Sequence, residues 1–455
     1  MEYDKRRNSS SFREIIHLFL FFILFPVVFW AQQDSISYDP YIASLMVQVD
    51  DSMIDQHIQN LAHADGHFSR VSYTPGNEWS AYYIKHAFDS LAGLTSVFFD
   101  TFFIFNAPPP YDTIPLVNVV AVLEGNQNPS QEYIIGGHFD ATANLDPSYD
   151  WDIDWPTAIA PGADDNATGV ACILEIARVL SDSANGFNND YTIKFVVFGA
   201  EERHPAYNNS NHWGSRSYVL EAISGGDDIK GAYILDMIGF NDTGNNHYNI
   251  ISDPSSRQMG QRMLQVNQTY QIELHTNSEP FPEAYYSDHD QFWIYGYEAI
   301  LVIENAPPWE NNLPWYNLNP FYHKQTDTPD KVNIQQVGKI AQNALGVLAH
   351  LTGNITSIEE KSVLKNFPQT FSLHQNYPNP FNPSTTIEFD LFQKGKVELE
   401  IYNFLGEKVA ILVNKEIAPG SYRINFNATG LSSGVYFYTL KADDHKAVKK
   451  MTLLK

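Results

Sequence analysis

The chain has 455 residues, 44% of them hydrophobic, and is long enough for more than one folded domain. Its formal net charge of −25 argues against binding to nucleic acid or to an anionic membrane, because both of those surfaces are negatively charged. The single cysteine, Cys172, excludes an intramolecular disulfide. The fold must therefore be stabilised by core packing or by bound metal.

The amino terminus has the composition of a secretory signal peptide. Basic residues at positions 5–7 precede an uncharged, mostly apolar run over residues 15–30, and Ala31 is a plausible cleavage residue. The run is slightly shorter than the ~18 apolar residues of a membrane-spanning helix. We predict a signal peptide over residues 1–31 and no membrane span in the mature chain. Phe29 is large for a cleavage site, so an uncleaved anchor is the alternative.

Helical and strand patterns then alternate. Apolar residues spaced by three and four predict helices over residues 53–61, 80–91, 168–180 and 334–351. Runs rich in β-branched and aromatic residues predict strands over residues 96–105, 117–123, 132–136, 193–198 and 232–235. This rhythm predicts an α/β domain over residues 32–352, with a mixed, mostly parallel sheet and helices on both faces.

The pattern changes after residue 352. A polar linker is predicted over residues 353–370, and no helical spacing follows it. Short segments with period-two alternation predict strands over residues 386–391, 397–402, 421–427 and 435–441. We predict a small all-β, immunoglobulin-like sandwich over residues 371–455.

Five short segments of the α/β domain carry the chemistry. They are residues 137–140 (GHFD), 162–166 (GADDN), 199–202 (GAEE), 235–237 (LDM) and 322–323 (YH). Three of them directly follow predicted strands, and the carboxyl ends of parallel strands meet at one edge of a sheet. Histidine nitrogen and carboxylate oxygen are ligands of zinc. A pair of zinc ions needs a bridging carboxylate to offset the mutual repulsion of the ions.

The roles of individual residues follow in part from their spacing. Glu201 and Glu202 are adjacent and point in opposite directions on an extended chain, so one could bind metal while the other acts as a general base. Asp140 lies two residues after His138, on the same side of the chain, and could orient its imidazole.

These segments together resemble metallopeptidase family twenty-eight, the co-catalytic di-zinc aminopeptidases, over residues 39–351. The resemblance implies two zinc ions, with Asp164 as the bridging ligand. It implies that Glu202 and His323 complete one site and that His138 and Asp236 complete the other. It also implies that Glu201 is the general base, that Tyr322 stabilises an oxyanion, and that the Asp164–Asp165 peptide is cis.

One departure from this family is a longer stretch after Glu202, which affects specificity more than metal binding. Within and beyond it, the histidines at positions 204, 212, 247 and 275 lie in polar sequence, and we predict that they are surface residues. We leave open whether His289 is structural or contacts substrate.

The carboxyl-terminal region is similar to the sorting domain of type IX secretion cargo. The likeness rests on residues 377–383 (YPNPFNP), 401–406 (IYNFLG), 431–436 (LSSGVY) and 449–451 (KKM). It implies the type IX secretion machinery as a partner and a secreted or cell-surface location. A plain immunoglobulin-like accessory domain is the alternative.

The leading functional hypothesis is a secreted zinc aminopeptidase that acts on peptide or protein substrates. The first alternative is a glutaminyl cyclase-like aminoacyltransferase, which the same resemblance allows. Those enzymes resemble this chain but carry tryptophan before the last histidine, where this chain has Tyr322, and they use one zinc. A non-catalytic surface adhesin on a peptidase scaffold is the second alternative.

Overall fold

The structure is a computed structural model that describes residues 36–104, 106–207, 210–277, 279–280, 284–305, 317–353, 358–360, 370–417, 419–428, 431–443 and 445–454. The signal peptide predicted for residues 1–31 lies outside these residues, as does most of the linker predicted for residues 353–370. Within the described ranges, no helix is both long and apolar enough to cross a bilayer.

The first part of the chain combines seven strands with nine α-helices within the described residues. The strands are β1 Ser96–Phe102, β2 Leu116–Leu123, β3 Asn128–His138, β4 Tyr191–Phe198, β5 Asp228–Leu235, β6 Asn249–Ser252 and β7 Ala299–Ile303. The helices are α1 Pro40–Met46, α2 Asp51–His63, α3 Pro75–Asp89, α4 Trp151–Asp154, α5 Thr168–Ser181, α6 Trp213–Gly225, α7 Arg257–Thr269, α8 His289–Ile294 and α9 Ile334–Thr352.

The seven strands form one sheet in the order β1-β2-β4-β3-β5-β7-β6. The four central strands β4, β3, β5 and β7 are parallel to one another. The outer pairs β1–β2, β2–β4 and β6–β7 are antiparallel. The mixed sheet with a parallel centre therefore confirms the predicted fold class.

Helices cover both faces of this sheet. Along β4, Phe195 and Val197 face a core that contains residues of α2, α5 and α9, whereas Val196 and Phe198 face a second core with residues of α6 and α8. Both faces of β4 are thus buried, which explains why it is a continuous apolar run. Cys172 lies in α5, in the first core, and is fully buried.

The second part of the chain is all-β. Its strands are β8 Ile358–Glu360, β9 Ser372–Leu373, β10 Ser384–Leu391, β11 Gly395–Asn403, β12 Lys408–Ile417, β13 Gly420–Asn427, β14 Gly434–Ala442 and β15 His445–Leu453. They form two antiparallel sheets, β8-β13-β10-β9 and β12-β11-β14-β15, around one hydrophobic core. This confirms the predicted all-β carboxyl-terminal fold.

Sequence analysis did not identify β8, β9, β12 and β15, and β8 lies within the stretch predicted as a linker. In β15, Lys446, Lys449 and Lys450 interrupt the apolar alternation, and Met451 and Leu453 are the buried positions. Nine residues of this strand pair with β14, so backbone hydrogen bonds rather than a hydrophobic pattern define it.

Candidate metal centre

The candidate ligands lie at the carboxyl ends of the central strands. His138 is the last residue of β3, Asp236 directly follows β5, and Glu202 follows β4. Two further ligands come from loops: Asp165 precedes α5, and His323 lies between β7 and α9. The parallel centre of the sheet brings these segments to one edge, as expected for an open α/β fold.

The five side chains form two groups of three that share Asp165. In the first group, the Nε2 atom of His138 lies 3.3 Å from Oδ1 of Asp165 and 3.3 Å from Oδ1 of Asp236. In the second, Nε2 of His323 lies 3.2 Å from Oδ2 of Asp165 and 3.2 Å from Oε1 of Glu202. Asp165 thus presents one carboxylate oxygen to each group, as a bridging ligand would.

This geometry corrects the assignment of the bridging role to Asp164. The carboxylate of Asp164 accepts hydrogen bonds from the backbone N–H of Gly239 at 2.8 Å and from the side-chain amide of Asn319 at 2.7 Å, and it also bonds the side chain of Glu304. Asp164 belongs to neither group. The two aspartates are adjacent and point different ways, which the motif does not reveal. The cis peptide is likewise Asp165–Asn166, not Asp164–Asp165.

Close packing places the loop that carries Asp165. The side-chain amide of Asn166 donates to the carbonyl of Leu235 at the end of β5, and its oxygen accepts the N–H of Gly169. A Cβ atom at Gly169 would lie 2.5 Å from that oxygen, and one at Gly137 would lie 2.4 Å from the Leu235 carbonyl oxygen. Only glycine fits at these two positions, which explains why they stand in the motifs.

Asp327 holds the same loop from the other side. Its two carboxylate oxygens accept the backbone N–H groups of Asp164 at 2.9 Å and Asp165 at 3.0 Å. Asp327 is 2% exposed, and burial together with the charge of Asp164 raises its pKa well above 3.8. Two N–H donors therefore fix the backbone from which the Asp165 carboxylate projects.

Asp140 has contacts beyond the His138 imidazole that it was predicted to orient. Its carboxylate accepts the backbone N–H groups of Glu201 at 3.0 Å and Glu202 at 3.1 Å. The Nδ1 atom of His138 is closer to the backbone carbonyl of Asp140, at 3.1 Å, than to its carboxylate, at 3.7 Å. The Asp140 side chain thus positions the two glutamates, and its backbone orients the imidazole.

Both candidate histidine ligands are fixed through their Nδ1 atoms. Nδ1 of His138 bonds the Asp140 carbonyl, and Nδ1 of His323 lies 3.0 Å from the side-chain oxygen of Asn144. An acceptor at Nδ1 would keep a proton there and leave Nε2 available to a metal ion. Sequence analysis did not single out Asn144.

Glu201 lies beside both groups and belongs to neither. Its Oε2 atom is 4.0 Å from Nε2 of His138, and its Oε1 atom is 2.9 Å from Nε2 of His212. Burial raises the pKa of Glu201 and of Glu202 to about 7. Burial opposes protonation of His323, but Glu202 and Asp165 outweigh it and raise its pKa to about 10. The site therefore combines buried carboxylates and imidazoles whose charges depend on one another.

Three residues at or next to the functional positions have left-handed backbone conformations. They are Ala200 (φ 54°), which precedes Glu201, Met237 (φ 45°), which follows Asp236, and His323 itself (φ 56°). Non-glycine residues adopt this conformation at an energetic cost, and such residues concentrate at functional sites. In each case the sharp turn of the backbone directs a ligand or the Glu201 carboxylate into the site.

Arg70 is a buried cation behind the metal centre that sequence analysis missed. It is 0% exposed, and its guanidinium donates to the backbone carbonyls of Phe139, Pro161 and Gly162. Burial lowers the pKa of Arg70 to about 10. Its side chain joins the end of β3 to the loop of Asp165. Each hydrogen bond to a charged group of this kind contributes about 1.5–3 kcal/mol to the free energy of unfolding.

The prediction of surface histidines was largely wrong. His204, His212 and His247 are 2%, 4% and 1% exposed, and only His275 is exposed. His289, left open above, is also fully buried, and its Nε2 atom donates to the Ala284 carbonyl, 2.7 Å away. Of these histidines, His212 contacts Glu201 directly.

A cleft of about 510 Å³ is lined by the residues of the candidate metal centre. Within the described residues, its less polar lining consists of Leu145, Met237, Tyr285, Tyr286, Ile303, Leu318 and Tyr322. The ring of Tyr322 stacks on the imidazole of His323 with centroids 3.7 Å apart, and its side chain is 37% exposed. The size and the mixed lining suit a small ligand or the end of a peptide.

Known proteins resemble this chain in both of its parts. Residues 118–348 match the profile of peptidase family M28, and residues 375–453 match that of a secretion system C-terminal sorting domain. An uncharacterized protein of Escherichia coli, YfbL, is 26% identical over 255 residues, covering 51% of this chain and 71% of that protein. A probable leucine aminopeptidase of Trichophyton verrucosum is 26% identical over 236 residues, covering 51% of this chain and 57% of that protein.

Solved structures share the fold at lower identity. LapB of Legionella pneumophila aligns with a TM-score of 0.54 and 20% identity, covering 70% of this chain and 76% of that one. The glutaminyl cyclase of Porphyromonas gingivalis aligns with a TM-score of 0.53 and 17% identity, covering 67% of this chain and 99% of that one. The family match spans residues 118–348, which are 231 of the 455 residues. The chain therefore belongs to peptidase family M28 and ends in a secretion sorting domain.

Proposed function

We propose that this protein is an exported, zinc-dependent aminopeptidase that removes residues from the amino termini of peptides. The observation that carries the proposal is the pair of ligand groups joined by Asp165, with Glu201 beside them and bound to neither. Probable aminopeptidases of Trichophyton verrucosum and Saccharomyces cerevisiae are among the relatives, and a relative in Pyrenophora teres is a probable zinc metalloprotease.

The residues fit two zinc ions. His138, Asp165 and Asp236 would hold one, and Asp165, Glu202 and His323 the other. Each group offers one nitrogen and two carboxylate oxygens, which is the donor chemistry of catalytic zinc sites with three protein ligands. In addition, Oε1 of Glu202 is buried and has no hydrogen bond of good geometry, and its neighbour at 3.2 Å is Nε2 of the other candidate ligand, His323.

When bound, the zinc ions would polarise the scissile carbonyl and lower the pKa of the attacking water. Glu201 would take the proton from this water and pass it to the leaving amine. Tyr322, on the wall of the cleft, would donate its phenol proton toward the developing oxyanion. Asp140 holds the backbone of Glu201 and Glu202 in place by accepting hydrogen bonds from their N–H groups.

The cleft favours a substrate with a free amino terminus. Of the carboxylates on its floor, Asp165, Glu202 and Asp236 would be engaged by the zinc ions, so Glu201 is the one that would remain to attract a positively charged amine. The aromatic and aliphatic side chains of the wall would bury an apolar first side chain. These features favour cleavage of single residues from peptide ends.

The sorting domain supports export. We propose that the protein crosses the outer membrane through the type IX machinery and acts outside the cell or on its surface. Deletion of residues 368–455, followed by measurement of the protein in the medium and at the cell surface, tests this step. Normal release of the shortened chain would refute it.

The proposed activity is tested with a panel of aminoacyl-anilides beside a peptide that begins with glutamine, with and without a chelator. We expect anilide hydrolysis that the chelator abolishes and that added zinc restores. Cyclisation of the glutamine peptide without anilide hydrolysis would instead make the protein a glutaminyl cyclase-like aminoacyltransferase. Absence of both reactions and of bound zinc would favour the adhesin.

The roles of the two adjacent glutamates are separable by a matched pair of variants. Glu201→Gln should lose turnover while keeping the zinc content of the wild type, because Glu201 lies outside both ligand groups. Glu202→Gln should lose zinc as well as turnover. Full activity of Glu201→Gln would contradict the assignment of the general base.

A further inference from the structure

The segment between Glu202 and α6 packs against the end of β4 and returns to the active site. It is described except for residues 208 and 209. The phenol of Tyr207 donates to the carbonyl of Glu202 at 2.7 Å, and the ring of His204 stacks on Tyr207 and meets Trp155 edge-on. The backbone N–H of His212 then donates to the carbonyl of Glu201 at 2.8 Å.

These contacts bring the imidazole of His212 between two carboxylates. Its Nε2 atom is 2.9 Å from Oε1 of Glu201, and its Nδ1 atom is 3.0 Å from Oδ2 and 3.1 Å from Oδ1 of Asp290. Asp290 in turn accepts a hydrogen bond from the amide of Gln291 at 2.7 Å. The residues His212, Glu201 and Asp290 are each at most 7% exposed.

Asn211 also contacts this imidazole. Its side-chain amide lies 2.8 Å from Nε2 of His212. The amide oxygen and nitrogen can exchange places by a flip, so Asn211 can accept from the same N–H that His212 donates to Glu201. The contact is compatible with a doubly protonated imidazole that donates through both nitrogens.

We infer that His212, held by Asp290, is a positioning residue for the Glu201 carboxylate. The bond from His212 occupies Oε1, which leaves Oε2 on the side of the ligand groups, 4.0 Å from Nε2 of His138. Without His212 the carboxylate would turn freely about its last torsion, and neither oxygen would be fixed toward the site. This inference rests on the proposed role of Glu201 as general base.

The kinetic test compares the same substitution at two histidines of one segment. We expect His212→Phe to lower kcat about tenfold to a hundredfold, the loss of one hydrogen bond to a charged group, with KM and zinc content unchanged. His204→Phe, which keeps an aromatic ring beside Tyr207, should leave kcat unchanged. His212→Gln, whose amide can donate to Glu201, should recover part of the activity lost in His212→Phe.

Two outcomes of this comparison would overturn the inference. One is equal kcat in His212→Phe, His212→Gln and His204→Phe. The other is that His212→Phe lowers the residual kcat of Glu201→Gln by the same factor as it lowers the kcat of the wild type. A residue that acts only through Glu201 should have no further effect once Glu201 is replaced.

A second measurement is independent of turnover. In zinc-loaded protein labelled with ¹⁵N-histidine, the side-chain signals missing from His212→Phe identify His212. We expect the Nε2 signal to shift in Glu201→Gln and the Nδ1 signal to shift in Asp290→Asn. Unchanged signals in both variants would refute the contact. A wild-type protein that hydrolyses no aminoacyl substrate would refute the proposed function alone, and the NMR result would still decide the pairing.

Discussion

The two adjacent aspartates of the metal loop give a direct test of the site. Asp165→Asn and Asp164→Asn remove the same charge, from the same loop, with almost no change in size. The structure predicts opposite results, because Asp165 belongs to both ligand groups and Asp164 to neither. The family resemblance had implied Asp164.

The expected magnitudes follow from the contacts of each carboxylate. Removing a group that merely orients a ligand costs about 10–100-fold in metal affinity, so loss of the shared ligand itself should cost at least about 100-fold at each site. Asp164 instead accepts from Gly239 and Asn319, and its loss leaves one of these donors without an acceptor. We expect a loss of about 1–3 kcal/mol in unfolding free energy and near-normal zinc content for Asp164→Asn.

The assay is zinc per chain by mass spectrometry after gel filtration, followed by titration with buffered zinc. Wild type and Asp164→Asn should retain the metal, and Asp165→Asn should lose it. Urea unfolding of the zinc-loaded proteins then measures the stability cost in Asp164→Asn. Metal loss in Asp164→Asn together with metal retention in Asp165→Asn would refute the assignment of the bridging ligand.

Two further substitutions probe the surroundings of the site, and a third probes a histidine near the end of α9. Asp140→Asn replaces one of two acceptors for the N–H groups of Glu201 and Glu202 by a donor, so unfolding free energy should fall by about 1–3 kcal/mol and kcat should fall with it; an unchanged urea midpoint would contradict this. Tyr322→Phe should lower kcat on an aminoacyl-anilide by about 10²–10³-fold with zinc content unchanged, whereas equal kcat would exclude an oxyanion role. Burial lowers the pKa of His350 to about 4, so the unfolded chain binds more protons between pH 6.5 and 4, and stability falls as the pH falls through that window. The unfolding free energy of His350→Gln should therefore fall less than that of the wild type over this window, and the two falls should differ by at most about 3 kcal/mol. Equal falls in the two proteins would refute the lowered pKa of His350.

Much of the fold was predictable because its patterns are local. The helix predicted over residues 334–351 is α9, Ile334–Thr352, and the strand predicted over residues 193–198 is β4, Tyr191–Phe198. Four of the predicted ligands, His138, Glu202, Asp236 and His323, come together in the structure. His138, Glu202 and Asp236 could be predicted because they follow parallel strands, whose carboxyl ends converge, whereas His323 lies in a loop and was identified through the family resemblance.

The rest depended on contacts between distant segments. Asp164 and Asp165 have the same chemistry, and only the bonds from Asn319 and Gly239 to Asp164 distinguish them. His212 looked like a surface residue because asparagines and serine surround it in sequence. It is buried because Asp290, 78 positions later, lies against it. No periodicity within the segment carries that information.

The charged groups of the candidate metal centre make the stability of the protein depend on bound cations. Backbone N–H groups position the carboxyl groups of Asp140 and Asp327, and the hydrogen bonds of Arg70 go to carbonyls. Until cations bind, the crowded carboxylates must be protonated or paired with protonated histidines, and metal binding displaces these protons. At free zinc 100 times its dissociation constant, each filled site adds about 2.7 kcal/mol to the stability. A chelator should thus lower the melting temperature of the wild type markedly and that of Asp165→Asn little. Equal shifts in the two proteins would show that zinc stabilises the chain somewhere other than at this centre.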